Sequence, residues 1–171
     1  MKVLITSDAH DRWDFLEQAV NQGNVANCEV MLFAGDLISP TGITIMENFN
    51  GKVHFVLGNN EGELVKLTRM SDASKNIALH YEYGQSVFDE KIDELSFYMN
   101  HYPTFVHNAA QTGKYDVCVY GHDHMYHTEI LPNGTLVLNP GALKGDKEGQ
   151  VTCMIFDTKD KSVQKIELTS I

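Results

Sequence analysis

The chain has 171 residues, 43% of them hydrophobic, which is the usual size of one domain and enough to bury a substantial core. Its 13 basic and 23 acidic residues leave a formal charge of −10 with histidines neutral, which opposes tight, sequence-independent binding to nucleic acid or to an anionic membrane. The three cysteines, Cys28, Cys118 and Cys153, are widely separated and form no C-x-x-C pair, so neither a disulfide framework nor a thiolate zinc site is expected.

The chain opens on a strand-like Lys2-Val3-Leu4-Ile5-Thr6 with no leader pattern, and no apolar stretch reaches the ~20 residues of a membrane span, so a cytoplasmic protein is expected. Trp13, Leu16, Ala19 and Val20 then recur at helical spacing, with Asp11 placed to cap the helix and Gly23 to end it. Val30-Met31-Leu32-Phe33 and Val53 to Leu57 are near-continuous apolar strands, as a sheet covered on both faces requires. Between them Ile43, Ile45, Met46 and Phe49 suggest a short helix, and a third helix is expected from Glu61 through Leu64, Val65, Leu67 and Met70, with Glu61 and Glu63 in its first turn. This alternation is the signature of β-α-β units.

Ala78 to Tyr81 and Gln85 to Phe88 read as an antiparallel pair. Leu95 to Asn100 reads as a strand, Thr104 to Gln111 as a helix and Val117 to Tyr120 as a strand. The remainder is strand-dominated: Thr128 to Leu131, a Pro132-Asn133-Gly134 turn, Leu136 to Leu138, Val151 to Phe156, a Lys159-Asp160 turn and Val163 to Leu168. Two sheets packed face to face with helices outside account for this order, in a single domain over residues 1–171.

Seven oxygen and imidazole donors sit just past expected strand ends: Asp8 and His10, Asp36, Asn59, His101, then His122 and His124. The D-x-H spacing lets a carboxylate and an imidazole reach one point, although Asp8 or Asp11 could instead cap the helix and leave His10 on the surface. Gly35-Asp36 is also an ordinary turn, and an Asn-rich turn such as Gly58-Asn59-Asn60-Glu61 commonly caps a helix. Gly121-His122-Asp123-His124 is the strongest local signal, because both imidazoles turn inward only if the backbone kinks, which Gly121 permits. Ligands of α/β sheets bind at the C-terminal strand edge, so five clusters at that edge point to a pair of divalent cations. Asp123 is expected to face away and bond backbone, Asn139-Pro140-Gly141 to form a tight turn near the site, and His54, His80, His107 and His127 to be structural or on the surface.

The ordered set D-x-H, G-D, G-N-x-E, H and G-H-D-H resembles the calcineurin-like metallophosphoesterase superfamily, over residues 1 to about 145. Small size and Asn139-Pro140-Gly141 resemble its YfcE-type phosphodiesterase branch. The resemblance implies an α/β fold, a four-layer α-β-β-α sandwich of two mixed sheets with flanking helices. It implies that Asp8, His10 and His124 ligate one metal, that Asp36 bridges to a second, and that Asn59, His101 and His122 complete the second. A bridging water or hydroxide would attack phosphorus in line, making the chain a dinuclear phosphodiesterase of small phosphate esters. Manganese is the metal implied first; iron, nickel and zinc also suit these donors. Where many members carry histidine after the motif asparagine, this chain has Asn60, which can donate a hydrogen bond to developing charge but delivers no proton, so good leaving groups are expected to be favoured. Arg12 could meet a substrate phosphate or simply start the helix in solvent. Alternatives are a phosphomonoesterase or nucleotide pyrophosphohydrolase with the same site, or a non-catalytic interaction scaffold like the retromer subunit of this fold. Relatives often self-associate, so a homo-oligomer stays open.

Overall fold

The computed structural model describes residues 1–145 and 150–169. Its elements, in chain order, are β1 (Lys2–Thr6), α1 (Trp13–Val25), β2 (Val30–Phe33), α2 (Thr41–Met46), β3 (Lys52–Val56), α3 (Leu64–Ala73), β4 (Ile77–His80), β5 (Phe88–Ile92), β6 (Leu95–Met99), α4 (Pro103–Gln111), β7 (Val117–Val119), β8 (Tyr126–Ile130), β9 (Leu136–Pro140), β10 (Val151–Asp157) and β11 (Val163–Leu168). They form a six-stranded sheet ordered β11-β10-β1-β2-β3-β4 and a five-stranded sheet ordered β5-β6-β7-β9-β8. Both are mixed: β1 to β4 run parallel, with β10 antiparallel to β1 and β11 antiparallel to β10, while β6, β7 and β9 run parallel with antiparallel β5 and β8.

Strand alternation sorts the apolar residues into three cores. Leu4, Met31, Phe33, Val53 and Phe55 point one way, onto Phe15, Leu16, Ala19 and Val20 of α1, Ile43 and Met46 of α2 and Leu67 of α3. Val3, Ile5, Leu32 and Val56 point the other way, onto Phe88, Phe97, Val117, Val119 and Leu138 of the second sheet. The outer face of that sheet, with Cys118 and Val137, packs on Val106 and Ala110 of α4. Helices, sheet, sheet and helix therefore make four layers, as the sequence suggests. All three cysteines are free and buried, and no helix among the described residues is long and apolar enough to cross a membrane.

Several local expectations change. Asp11 does not cap α1; its carboxylate instead accepts from the Ser39 N–H at 3.1 Å and ties two site loops together. Gly23 lies inside α1, where a Cβ would sit 2.8 Å from Leu4 Cδ2, and the chain leaves the helix at Asn27 with φ 56°. Glu61 precedes α3, because its carboxylate accepts from the N–H groups of Leu37, Ile38 and Gly58 at 3.2, 2.9 and 3.1 Å. Ala78 to Tyr81 and Gln85 to Phe88 do not form a ladder: β4 joins β3 in the first sheet, β5 pairs β6 in the second, and only Glu82 and Gln85 bridge. Asn139-Pro140 closes β9 rather than turning.

Candidate metal centre

All seven candidate donors lie at the C-terminal ends of parallel strands: Asp8 and His10 after β1, Asp36 after β2, Asn59 after β3, His101 after β6, and His122 and His124 after β7. The sheets face each other, so these ends meet at one rim. Backbone bonds tie the loops together: Asp8 N–H donates to Gly35 O at 2.9 Å, His10 N–H to Asp36 O at 3.1 Å, and Gly121 N–H to His101 O at 3.1 Å. The local backbone is bent to aim the side chains. Asp8, His10, Asp36, His122 and His124 have φ of 53°, 44°, 59°, 75° and 62°, a left-handed region few non-glycine residues adopt. The kink at the G-H-D-H segment thus falls on the histidines themselves. Gly121 serves a different purpose, since a Cβ there would collide with Ser7 Oγ and lie 2.6 Å from Asp8 Oδ2.

Asp8, His10, Asp36 and His124 bring one donor atom each within 4.8 Å of one another. His124 Nε2 stands 3.2 Å from Asp8 Oδ1, and His10 Nε2 stands 3.3 Å from Asp36 Oδ2 and 3.9 Å from Asp8 Oδ1. Asp8 Oδ1 and His10 Nε2 are buried with no hydrogen-bond partner among the described residues, whereas Asp8 Oδ2 accepts from Ser7 Oγ at 2.6 Å and His122 N–H at 3.0 Å. One oxygen is spent on orientation and the other is left facing the cluster. Two carboxylates and two imidazoles converging on one buried point form a donor set of the kind that holds a divalent cation.

The remaining donors gather beside Asp36. Asn59 Oδ1 lies 3.0 Å from His101 Nε2 and 2.8 Å from His122 Nδ1, these two nitrogens are 3.3 Å apart, and His101 Nε2 is 3.5 Å from Asp36 Oδ1. His101 Nδ1 sits 2.7 Å from the Ala34 carbonyl, so it carries the proton and donates. In the neutral imidazole this leaves the Nε2 lone pair on the side of Asn59 and Asp36. Asp36 touches both groups of donors, as a bridging carboxylate would.

The electrostatics fit a cation trap. Burial pushes Asp8 up, but the His10 and His124 imidazoles outweigh it and hold the carboxyl below its ordinary value. Burial likewise opposes ionisation of Asp36, while His10 and the Asn60 amide keep it well below the carboxylate range. The Asp36 and Asp8 carboxylates raise His10 to about 9. Burial raises Glu61, against the three N–H groups it accepts from.

Asn60 and Arg12 are placed differently from the donors. Asn60 Nδ2 donates to Asp36 Oδ2 at 2.6 Å and its N–H to Asp36 Oδ1 at 2.9 Å, so the amide is turned onto the carboxylate rather than into the cleft. The Arg12 guanidinium is held by Asp14, Nη2 to Oδ2 at 2.8 Å and Nε to Oδ1 at 3.0 Å, and lies over the Phe15 ring. Asp123 Oδ1 accepts from Met125 N–H at 3.0 Å and from Asn139 Nδ2 at 2.7 Å. Asn139 is fully buried and also donates to Gly121 O at 3.3 Å, so it braces the loop carrying both histidines. Sequence reasoning missed Ser7, Glu61 and Asn139 as supports, although Glu61 stands inside the G-N-x-E motif and Asn139 in the segment expected to turn near the site.

The chain is 32% identical to phosphodiesterase MJ0936 of Methanocaldococcus jannaschii, over 98% of this chain and 99% of that one. The structure of an archaeal phosphodiesterase superposes with a TM-score of 0.88 at 32% identity, covering 98% of this chain and 100% of its own. Fold alone is shared with the E. coli phosphoesterase Yfce (TM-score 0.68, 15% identity, 99% and 100% covered) and with zinc-complexed Vps29 of Entamoeba histolytica (0.68, 17%, 98% of each). The family model for the calcineurin-like phosphoesterase superfamily domain matches residues 1–161, and the chain belongs to that superfamily.

Proposed function

We propose that the whole chain is a single phosphodiesterase unit that hydrolyses small phosphate diesters with two divalent cations, manganese foremost. The observation that carries this reading is the pair of donor groups sharing Asp36, with Asp8 Oδ1 and His10 Nε2 of the first left without a hydrogen-bond partner among the described residues. Asp8, His10, Asp36 and His124 would hold one cation, and Asp36, Asn59, His101 and His122 the other. When bound, such cations lower the pKa of coordinated water toward ~7 and neutralise charge developing on phosphoryl oxygens. The chain's own residues fix the donors: Ser7 and the His122 N–H orient Asp8, the Ala34 carbonyl sets the His101 tautomer, and Asn60 braces Asp36. Because the Asn60 amide is engaged and carries no acidic proton, the leaving group departs without a protein acid there, which favours aryl over alkyl esters. Buried, unpaired cysteines support a reducing, cytoplasmic setting.

The test is hydrolysis of bis(p-nitrophenyl) phosphate against p-nitrophenyl phosphate, with manganese, zinc, nickel and iron added in turn. Diester turnover is expected to dominate and to vanish in Asp36→Asn and His122→Ala. A large excess of monoester turnover would assign the chain to phosphomonoesterases instead.

A further inference from the structure

Beside the Asn59 end of the metal centre opens a cleft of about 630 Å³, roomier than a phosphoryl group requires. Its walls include Leu57, Leu64, Tyr81, Tyr98, Tyr102 and Phe105. The Tyr102 ring centroid is 5.2 Å from those of His101 and His122, so the aromatic surface runs continuously into the donors. One wall is the 81–86 turn, closed by paired Glu82 and Gln85 N–H···O bonds of 2.9 Å. Tyr81 and Phe105 remain 47% and 56% exposed, a state that stacking against a planar group would relieve.

The polar lining narrows the choice of occupant. Ser86 Oγ donates to His80 O at 2.7 Å and accepts from Leu57 N–H at 2.6 Å, and Asn100 donates to Ser86 O and accepts from Tyr102 N–H. Both are spent on holding the cleft. The Gln85 amide and the Tyr81 and Tyr102 hydroxyls, which make no side-chain hydrogen bond among the described residues, are what a heterocycle edge would meet. No lysine or arginine lines the cleft among the described residues, and Glu61 contributes a carboxylate. A second phosphate would find repulsion there, which speaks against polyphosphate substrates.

Resting on the phosphodiesterase reading above, we infer that this cleft receives the nucleobase of a nucleoside phosphodiester bearing a single phosphate. Stacking on Tyr81 and Phe105 supplies the affinity, and the Gln85 amide and tyrosine hydroxyls read the ring edge.

The experiment uses three monoanionic probes with one phosphonate head: ethyl, phenyl and thymidin-5′-yl methylphosphonate. Each is measured as an inhibitor of bis(p-nitrophenyl) phosphate hydrolysis and, independently of turnover, by saturation-transfer NMR from the protein to its own protons. The thymidinyl probe is expected to bind about tenfold or more tightly than the ethyl probe, and Tyr81→Ala with Phe105→Ala to remove most of that difference. Both side chains are half-exposed, so their truncation spares the core. Equal binding of ethyl and thymidinyl probes overturns the cleft assignment while leaving the phosphodiesterase reading intact. A phenyl probe as tight as the thymidinyl one overturns the nucleobase assignment. If no metal supports hydrolysis, the phosphodiesterase reading fails, and saturation transfer to the thymine protons, lost in the double variant, still decides whether the cleft takes a base.

Discussion

Asn139 and Gly121 act on the metal centre without being candidate ligands. Asn139 lies buried beneath the G-H-D-H loop and donates to Asp123 and to the Gly121 carbonyl. Asn139→Ala leaves the Asp123 carboxylate short of a donor and frees the loop, so metal affinity should fall about 10- to 100-fold, with near-native circular dichroism. Titration of the apo-protein with manganese, followed calorimetrically, reads this directly; an unchanged affinity would remove Asn139 from the support of the site. At Gly121 an added methyl meets Ser7 and the very carboxylate oxygen of Asp8 that is otherwise held by Ser7 and His122. Gly121→Ala should therefore destabilise by about 1–3 kcal/mol in denaturant melts and weaken metal binding as well. The donors themselves were legible because histidine and carboxylate types recur at strand ends. Their supports were not: Asn139 acts across 16 residues of sequence and Ser7 through a neighbour's oxygen, and neither relation leaves a pattern in a single chain. Asn60 shows the same limit, since residue type gives its donor capacity but not that Asp36 takes it.

The long apolar strands and helical spacings were readable element by element, because each buries a full face. The stretch between α3 and β6 was not, since two short pieces with intermediate burial read alike whether they pair together or part to different sheets. Contact with His54 shows what the parting achieves. His54 of β3 is buried, its Nδ1 lies 2.8 Å from Nε2 of His80 on β4, and its ring packs 4.6 Å from Phe88 of β5. These two imidazoles and one phenyl ring therefore join the first sheet to the second. Burial, then His80 and Lys52, push His54 down to about 4, and burial also lowers His80, against Glu90 and Glu82. A histidine whose folded value is depressed binds its proton more readily unfolded, so stability is full above pH 6.5 and declines as pH falls toward 4. Urea midpoints measured between pH 7 and pH 5 should drop more steeply for the wild type than for His54→Gln, which keeps an amide for His80 and loses the titration. Parallel slopes would show that this pair does not titrate as its burial requires.

At the scale of the molecule, the chain carries a formal charge of −10 yet draws carboxylates and imidazoles from both sheets into one rim. The fold without cations bears that cost in left-handed residues at Asp8, His10, Asp36, His122 and His124, and in buried atoms without partners. Cations held by this arrangement would not find it in the unfolded chain, so loading should stabilise the whole fold. At a free concentration of 100 times the dissociation constant, one site contributes about 2.7 kcal/mol. For a chain of this size each kcal/mol moves the melting temperature by about 2–4 °C, so saturating manganese should raise it by about 5–10 °C over EDTA-treated protein. Because Asp36 contacts both donor groups, Asp36→Asn should remove most of that rise, whereas loss of His10 from one group alone should remove only part. A rise of the same size in Asp36→Asn and wild type would mean that the cations stabilise the protein from somewhere else, and that the rim joining the two sheets is not where they bind.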